Sequence, residues 1–286
     1  MGIGVEGKRM KKRKKSPACK IILFFLLVLI SFVMIIPFLW MVSSSLKYNT
    51  EIFSYPVRWI PEVFRWDNYV TVWSEIPFLT YFLNSLKLAV IVTVAQLVIC
   101  SLAAYSFSKL QYPGRDKLFF LYLATMMVPW QAIMIPQFIV VRSLGLYNSH
   151  GALIVINMFS AFGVFVLRQF MIGIPEELSE AARIDGCSEF RTYSQVIIPM
   201  CKPGLATLTI FTFNFMWNDY LSSMIYLDDD KLKTVQVGLT AFRTLYKTEY
   251  GLLMAGTVCA LLPIFLIFCC AQKYLVEGIA YTGLKG

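Results

Sequence analysis

The stretch IILFFLLVLISFVMIIPFLWMVSSSL, Ile21 to Leu46, contains no charged residue. Because an α-helix rises 1.5 Å per residue, about 20 apolar residues cross the ~30 Å hydrocarbon core of a bilayer. This stretch is longer than that, and the basic run KRMKKRKK at residues 8–15 precedes it. It therefore predicts a membrane-spanning helix near the start of the chain.

A secretory signal peptide is the alternative interpretation of the same region, with Ser43, Ser44 and Ser45 near a cleavage site. The apolar core of a signal peptide has only ~7 to 15 residues, which is much shorter than the stretch observed here. We therefore predict that the first helix is retained.

The rest of the chain is also too apolar for a soluble domain, since 58% of its 286 residues are hydrophobic and 15% are charged. Kinks are tolerated in lipid, so the prolines inside apolar blocks do not exclude helices. The fourth block is short and the fifth contains Asp219. We predict an all-α fold, a bundle of six transmembrane helices, from the blocks Ile21 to Leu46, Leu88 to Ser108, Leu118 to Val141, Gly151 to Leu167, Pro203 to Leu227 and Tyr250 to Gln272.

Basic residues set the expected orientation, because cytoplasmic connections carry an excess of Lys and Arg. Most of the 26 basic residues fall in four connections, namely residues 1–20, 109–117, 168–202 and the C-terminal tail. Both termini and the 168–202 connection are therefore predicted to be cytoplasmic. The basic arm before a span indicates contact with anionic lipid of the bilayer, and we expect no nucleic-acid partner.

The connection at residues 47–81 is rich in Trp, Tyr, Phe and Pro. Such rings favour the membrane interface, so we expect a loop with short helices on the outer surface. A packed cap over the bundle and a docking site for a partner remain equally open.

The segment EAARIDGCSEF, Glu180 to Phe190, is an unusually polar interruption between two apolar blocks. Before it, Pro175 suits the first turn of a helix, and Glu176 and Glu177 favour the positive end of the helix dipole. Gly186 is expected to end this helix, because glycine readily adopts a positive φ.

A second short helix is predicted directly afterwards. Ser188 is a suitable N-cap, and the helix carries Phe190, Tyr193 and Ile197 and stops before Pro199. The result is a polar helix, turn and helix that displays small alanines and two aromatic rings to another surface.

The spacing of these residues resembles the EAA signature of ABC importer permeases. In that signature Glu-Ala-Ala, three residues and Gly are followed nine residues later by Ile, any residue, Leu and Pro. Here EAARIDG (180–186) is followed by VIIP (196–199), so Val196 and Ile198 are conservative departures. Cys187 stands where the sugar-importer branch often has alanine.

Further stretches resemble the MalG-like half of carbohydrate permeases, namely FLNSLKLAV (82–90), SLAAYSFSKLQYPGRDK (101–117), SLGLYNSHGALI (143–154), NFMWNDYL (214–221) and YLVEGIAYTGLKG (274–286). The expected organisation is therefore a basic cytoplasmic arm (1–20), a first transmembrane helix (21–46), an extracellular loop (47–81), a core permease domain (82–275) with the EAA loop at 168–202, and a cytoplasmic tail (276–286).

The resemblance implies a permease subunit of a carbohydrate ABC importer in the cell membrane. Its implied partners are a second homologous permease chain, two cytoplasmic ABC ATPase subunits and an extracellular sugar-binding protein. The EAA loop would couple ATP hydrolysis to transport, and the residues implied are Glu180, Ala181, Ala182, Asp185, Gly186, Phe190 and Tyr193. The tail resembles the family segment that approaches the ATPase. Spacing alone leaves open an amphipathic surface helix without a partner, and the tail could be disordered.

A second candidate site lies in the fifth block. A charged carboxylate at the bilayer centre raises the free energy of membrane insertion by about 2.5 to 3.5 kcal/mol. Asp219 should therefore face protein or water, and it is close in sequence to Asn214, Trp217 and Asn218. Amides, a carboxylate and an indole suit sugar hydroxyls and ring faces, so we predict a substrate pathway here. A role in helix packing near the outer end of the span remains open.

Other function classes find little support in the sequence. An ion-coupled secondary transporter needs ionisable relays inside its helices, and here Asp219 and Lys87 are nearly the whole supply. The chain has one histidine, His150, and no Cys/His/Asp/Glu cluster with metal-ligand spacing, so we expect no enzyme activity, metal or cofactor. ATP hydrolysis is assigned to a separate chain, because no glycine-rich phosphate loop is present. An ABC importer permease for a non-sugar solute is the nearest alternative.

Overall fold

The computed structural model describes residues 17–243 and 248–283. Most of the predicted basic arm, residues 1–16, and the end of the tail, residues 284–286, lie outside the described residues. The α-helices are α1 Pro17–Ser45, α2 Asn49–Ile52, α3 Asp67–Glu75, α4 Phe78–Lys109, α5 Arg115–Ala124, α6 Trp130–Ser143, α7 His150–Asn157, α8 Ala161–Ile172, α9 Glu176–Ile184, α10 Glu189–Thr192, α11 Ile198–Met200, α12 Lys202–Trp217, α13 Leu221–Tyr226, α14 Val235–Leu239 and α15 Tyr250–Gly283. Short 3₁₀ turns occupy Thr125–Met127, Asp230–Leu232 and Thr240–Phe242, and a π-helical turn occupies Tyr193–Ile197.

Six candidate spans follow from this arrangement. Three single helices, α1, α4 and α15, are long and apolar enough to cross a bilayer. Three bent pairs supply the rest, in which α5 continues into α6, α7 into α8, and the Glu189–Met200 stretch into α12. The prediction of an all-α bundle with six spans is confirmed.

The third span is broken at Pro129, where we expected one helix. Proline has no backbone N–H and disfavours helical geometry in the residue before it. Val128 is extended, with φ −82° and ψ 116°, and the two halves of the span meet at 98°. The prolines at 37, 136 and 263 lie inside helices, as predicted.

The fourth span bends by 43° between Asn157 and Ala161. The break frees backbone groups that need new hydrogen-bond partners in the bundle. Gln96 of α4 supplies one, since its Nε2 donates to the Asn157 carbonyl at 2.6 Å. Its Oε1 accepts from Thr212 Oγ1 of α12 at 2.8 Å, so one buried side chain joins three spans.

The fifth span begins and ends earlier in the chain than the predicted block Pro203 to Leu227. Helix α12 ends at Trp217, and Asp219 lies in the break before α13. The Asp219 Oδ1 accepts a hydrogen bond from the Ser222 N–H at 3.2 Å, in the first turn of α13. A side chain that satisfies a free N–H at a helix start favours a new helix over continuation of the old one.

Two apolar cores lie along α4. One packs around Leu88 and Val92 with α7, α12 and α15. The other packs around Cys100 and Ala104 with α8 and the start of α12. Gln96 lies between them, so the polar junction separates the two halves of the bundle.

The connection at residues 46–77 contains the short helices α2 and α3, as the sequence predicted. It is fixed to the end of α1 by Asn68, whose Nδ2 donates to the Ser45 carbonyl at 2.8 Å. Lys47 is buried there and lies 4.8 Å from the centre of the Trp40 ring. Where this loop lies relative to the bilayer stays a prediction.

Candidate coupling site and translocation face

The residues around the EAA motif form two helices joined by a tight turn, as predicted. We call residues 174–193 the EAA segment. Helix α9 ends at Ile184, and Gly186 follows with φ +80°, a conformation that a side chain would strain. Ser188 caps α10, since its hydroxyl accepts from the Arg191 N–H at 3.3 Å.

The second helix does not stop before Pro199, contrary to our prediction. A π-helical turn at Tyr193–Ile197 precedes the proline, and helix continues to Met200. Proline removes one donor and crowds the preceding turn, and a π-turn is the usual local adjustment inside a helix. The chain turns only after Cys201, where it enters α12 at 78°.

The exposed face of the EAA segment differs in part from the predicted one. Ala182 and Ser179 are both buried, so this alanine is not on display. The exposed apolar side chains are Leu178, Ile184 and Phe190, of which Ile184 is 86% and Phe190 70% exposed. Ile184 was not among the predicted coupling residues, although a large apolar residue between Arg183 and Asp185 was a signal for it.

Four more of the predicted coupling residues are exposed, namely Glu180, Ala181, Asp185 and Gly186. Exposed apolar and exposed charged residues therefore occur close together in sequence along α9, the turn and the start of α10. A mixture of this kind is typical of a docking site.

Tyr193 is half-buried and lies beside the exposed Phe190, with 5.9 Å between ring centres, but its hydroxyl bonds to the bundle. Its hydroxyl shares a hydrogen bond with Ser101 Oγ of α4, 2.7 Å away. Its ring packs edge-on against Tyr105, with 5.4 Å between ring centres. Tyr193 therefore holds the EAA segment to the chain's own bundle.

Lys109, the last residue of α4, makes a second attachment that the sequence analysis did not anticipate. It is only 4% exposed. Its Nζ donates to the Ile174 carbonyl at 2.7 Å and to Glu176 Oε2 at 3.1 Å. A buried ammonium with two acceptors fixes the start of α9 against α4.

Tyr105 makes a third attachment, between the other two along α4. Its hydroxyl donates to Glu189 Oε2 at 2.6 Å. Arg183 Nε donates to Glu189 Oε1 at 3.0 Å, and Arg183 Nη1 lies 3.6 Å from Glu176 Oε1. The Tyr105 hydroxyl and then the Arg183 guanidinium hold the pKa of Glu189 below its ordinary value of 4.5.

These attachments form a regular pattern on α4. Ser101, Tyr105 and Lys109 are spaced by four residues, so they share one face of the helix. That spacing of polar residues in the block SLAAYSFSK was the signal that could have revealed the attachment.

Some of the predicted substrate-pathway residues are exposed and others are buried. Asn214 and Asn218 are exposed and bonded to each other, with Asn218 Nδ2 donating to Asn214 Oδ1 at 3.0 Å. Phe211 and Phe215 are exposed on the same face of α12. Gln236 adds a further amide, since its Nε2 donates to Asn218 Oδ1 at 3.3 Å. Amides between exposed aromatic rings can bind the hydroxyls and the apolar faces of a sugar.

Trp217 lies in the core of the chain instead. It is fully buried, and its ring stacks on Phe213 with 5.8 Å between centres. Its Nε1 donates to the Ala260 carbonyl of α15 at 2.9 Å. Asp219 is partly buried and caps α13, so the exposed part of this face is made by the asparagines.

Within residues 17–243 and 248–283, no three His, Cys, Asp or Glu side chains lie close enough to hold a metal ion. The predicted site residues therefore lie in two places, an EAA segment that is hydrogen-bonded to α4 and a polar, aromatic face along α12.

Comparison with known proteins shows the family of this chain. The family model for the binding-protein-dependent transport system inner membrane component matches residues 96–281, which include α4 from the Gln96 junction onward, the EAA segment and α12. The chain belongs to this family, so it is a multi-pass inner membrane component of an ABC transporter. It is the permease component, and the ATPase is a separate component.

Similar proteins are found among curated sugar permeases. The chain is 31% identical to the arabinooligosaccharides transport system permease protein AraQ of Halalkalibacterium halodurans, over 96% of this chain and 100% of that protein. It is 32% identical to the lactose transport system permease protein LacG of Rhizobium radiobacter, over 93% of this chain and 96% of that protein.

The fold is also similar to a solved structure, a crystal structure of a bacterial ABC transporter involved in the import of the acidic polysaccharide alginate. The TM-score is 0.78 at 25% sequence identity, and the match covers 91% of this chain and 98% of the other.

Proposed function

We propose that this chain is a permease subunit of a carbohydrate ABC importer, in which the EAA segment docks on an ATPase subunit. The observation that carries the proposal is the EAA segment itself, which exposes Ile184 and Phe190 while Lys109, Tyr105 and Tyr193 bond it to the bundle. The substrate class is supported by relatives named for arabinooligosaccharides and lactose and by the similar alginate importer.

The EAA side of the bundle is cytoplasmic in this proposal. The connections at 109–117 and 168–202 lie on that side. Together with residues 1–20 and the C-terminal tail they carry 17 of the 26 basic residues, against 8 in the connections opposite. Both chain termini are then cytoplasmic, and the 46–77 connection and the loop before α15 are extracellular.

Docking is proposed to use the exposed apolar residues at its centre and Glu180 at its edge. An aromatic ring in a pocket of another protein is a typical anchor of an interface, and a charged rim sets its register. Glu180 is exposed on α9 and fits a basic residue of the ATPase. A force from the ATPase can shift the permease between states only through contacts of this kind.

A second homologous permease chain is proposed to face α12. The exposed residues Phe211, Asn214, Phe215 and Asn218 recur at the spacing of one helix face, and they would line the space between the two chains. Sugar delivered by an extracellular binding protein would pass along this face. For Asp219→Asn we expect altered uptake with intact ATPase assembly, because the change removes charge beside the asparagines; unchanged uptake kinetics would remove Asp219 from the pathway.

The test of the docking proposal is Glu180→Lys, with Glu177→Lys as the matched control on the same helix. Both glutamates are exposed on α9, so neither change alters the core. We expect Glu180→Lys to abolish uptake and ATPase co-purification while the chain still inserts in the membrane. Gly186→Pro should act in the same way, because it disturbs the turn. Wild-type uptake in Glu180→Lys, or an equal loss in Glu177→Lys, would contradict the assignment.

A further inference from the structure

Helix α4 makes hydrogen bonds to other segments of the chain near both of its ends. At its EAA end, Ser101, Tyr105 and Lys109 bond to successive parts of the EAA segment, as described above. At its other end it bonds to residues 228–243, which connect α13 to the chain before α15 and which we call the 228–243 loop.

The contacts with the 228–243 loop come from Asn84 and Ser85. Asn84 Nδ2 donates to the Lys231 carbonyl at 2.8 Å and to the Lys233 carbonyl at 3.0 Å. Ser85 Oγ accepts from the Val235 N–H at 2.8 Å. All three loop groups belong to the backbone, so the contacts fix the path of the loop rather than one side chain.

Packing strengthens the same attachment. Tyr81 is buried, and its ring lies against Gly238 so closely that a side chain at Gly238 would overlap it. Tyr81, Asn84 and Ser85 have the spacing of one helix face. One face of α4 therefore carries the 228–243 loop.

Helix α4 is also the least interrupted of the spans. Its sequence, Phe78–Lys109, contains neither Gly nor Pro, and it is unbroken over 32 residues. The third, fourth and fifth spans are bent by 98°, 43° and 78°, and α1 and α15 each contain a proline. From Asn84 to Lys109 an ideal helix extends roughly 37 Å, more than the hydrocarbon core.

We propose that α4 is a transmission rod, and that Asn84 and Ser85 are positioning residues that make the 228–243 loop move with the EAA segment. A stiff element bonded at both ends transfers a displacement from one end to the other without a chain of small side-chain shifts. The proposal rests on the proposed function, because the displacement starts where the EAA segment meets the ATPase. It adds a mechanical link from the nucleotide state to one extracellular loop.

The test is hydrogen exchange measured by mass spectrometry on the whole transporter, purified through a tag on this chain and held in lipid nanodiscs. Exchange is compared without nucleotide and with Mg-ATP plus orthovanadate. Peptides covering residues 174–193 report the EAA segment, and peptides covering residues 228–243 report the loop. We expect the wild-type exchange to change with nucleotide in both regions.

Two variants distinguish the hydrogen bonds from α4 to the 228–243 loop from other contacts that hold the same loop. In Asn84→Ala/Ser85→Ala we expect the nucleotide-dependent difference to persist at 174–193 and to be lost at 228–243. His150→Gln is the matched control, because His150 Nε2 of α7 contacts the Leu232 carbonyl at 2.9 Å and holds the loop without α4. We expect His150→Gln to retain the difference at both regions. A merely structural role would raise exchange of the loop equally in both nucleotide states.

Tyr105→Phe interrupts the rod at the opposite end and should also reduce the difference at 228–243. The transmission proposal is overturned if the nucleotide-dependent difference in exchange at 228–243 survives in Asn84→Ala/Ser85→Ala. It is also overturned if His150→Gln alone removes that difference. A wild-type change at 174–193 without one at 228–243 overturns the rod and leaves ATPase docking intact. The absence of a change at 174–193 overturns both proposals.

Discussion

The hydroxyl of Tyr105, near the end of α4, donates a hydrogen bond to Oε2 of Glu189, the first residue of α10, across 2.6 Å. This bond joins a residue of a membrane span to the segment proposed to receive the force of ATP hydrolysis. Its acceptor is a carboxylate, and a hydrogen bond to a charged group contributes about 1.5–3 kcal/mol.

Removal of this hydroxyl tests the attachment with little change in shape. In Tyr105→Phe we expect slower sugar uptake at unchanged membrane insertion, because the EAA segment then follows α4 less closely. Tyr112→Phe is the control, since Tyr112 lies in the adjoining connection and its hydroxyl contacts only Ser106, at 3.5 Å, among the described hydrogen bonds. Equal uptake in the two variants and the wild type would argue against the attachment. Uptake of labelled sugar by cells that carry each variant is the measurement.

The same carboxylate predicts a pH dependence. The hydrogen bond from Tyr105 and the charge of Arg183 hold the pKa of Glu189 below its ordinary value. A lowered carboxylate pKa stabilises the folded state above the ordinary value, about 4.5, and this contribution is lost as the pH falls through the lower, folded pKa. We expect the melting temperature of the purified chain to fall as the pH decreases below about 4.5.

Glu189→Gln is the control for this pH effect, because glutamine keeps the shape and does not titrate. We expect its melting temperature to depend less on pH over the same interval than that of the wild type. Parallel curves for the two proteins would show that Glu189 contributes nothing to the acid sensitivity.

Lys109 offers a test at the start of α9. In Lys109→Met the Ile174 carbonyl loses a buried donor, and Glu176 loses one of its two cations and keeps Arg183. Glu176 is about half exposed, so water replaces part of the loss, and we expect destabilisation of about 1–3 kcal/mol. Lys117→Met, at an exposed lysine of α5, should leave the thermal midpoint unchanged. Lys109→Arg should restore part of the stability; an unchanged midpoint in Lys109→Met would rule out this role.

We predict that replacement of Gln96, far from the EAA segment, lowers the stability of the chain. In Gln96→Leu the Asn157 carbonyl at the break of the fourth span and the Thr212 hydroxyl lose their partner. A buried group left without a hydrogen bond costs about 1–3 kcal/mol, so the thermal midpoint should decrease. The matched control is Gln131→Leu, because Gln131 is exposed. A larger decrease in the control would contradict the importance of the junction.

The sequence predicted the parts of this structure that depend on local pattern. Runs of apolar residues located all six spans, because crossing a bilayer requires a length that few other segments have. The turn at Gly186 and the cap at Ser188 were predictable as well, since each follows from the conformation of one residue.

Features that depend on distant contacts were not predictable in the same way. Lys109 was counted among the charges of a connection, but it is buried. Its acceptors lie 65 and 67 residues away in the sequence, so the local pattern could not reveal the pairing. Tyr193 was expected on display, and its hydroxyl instead shares a hydrogen bond with Ser101, which lies 92 residues before it. The spacing of polar residues along α4 indicates that they share one helix face, but it does not identify their distant partners.

The central claim is that the exposed surface around Ile184 touches an ATPase subunit, and site-specific photo-crosslinking tests it most directly. A photoreactive phenylalanine analogue would replace Ile184, which is 86% exposed, and in a separate control Tyr55, which is 96% exposed in the 46–77 connection. The account predicts a crosslinked product of this chain with the ATPase from position 184 and none from position 55. An active transporter that yields no ATPase adduct from position 184 would contradict it.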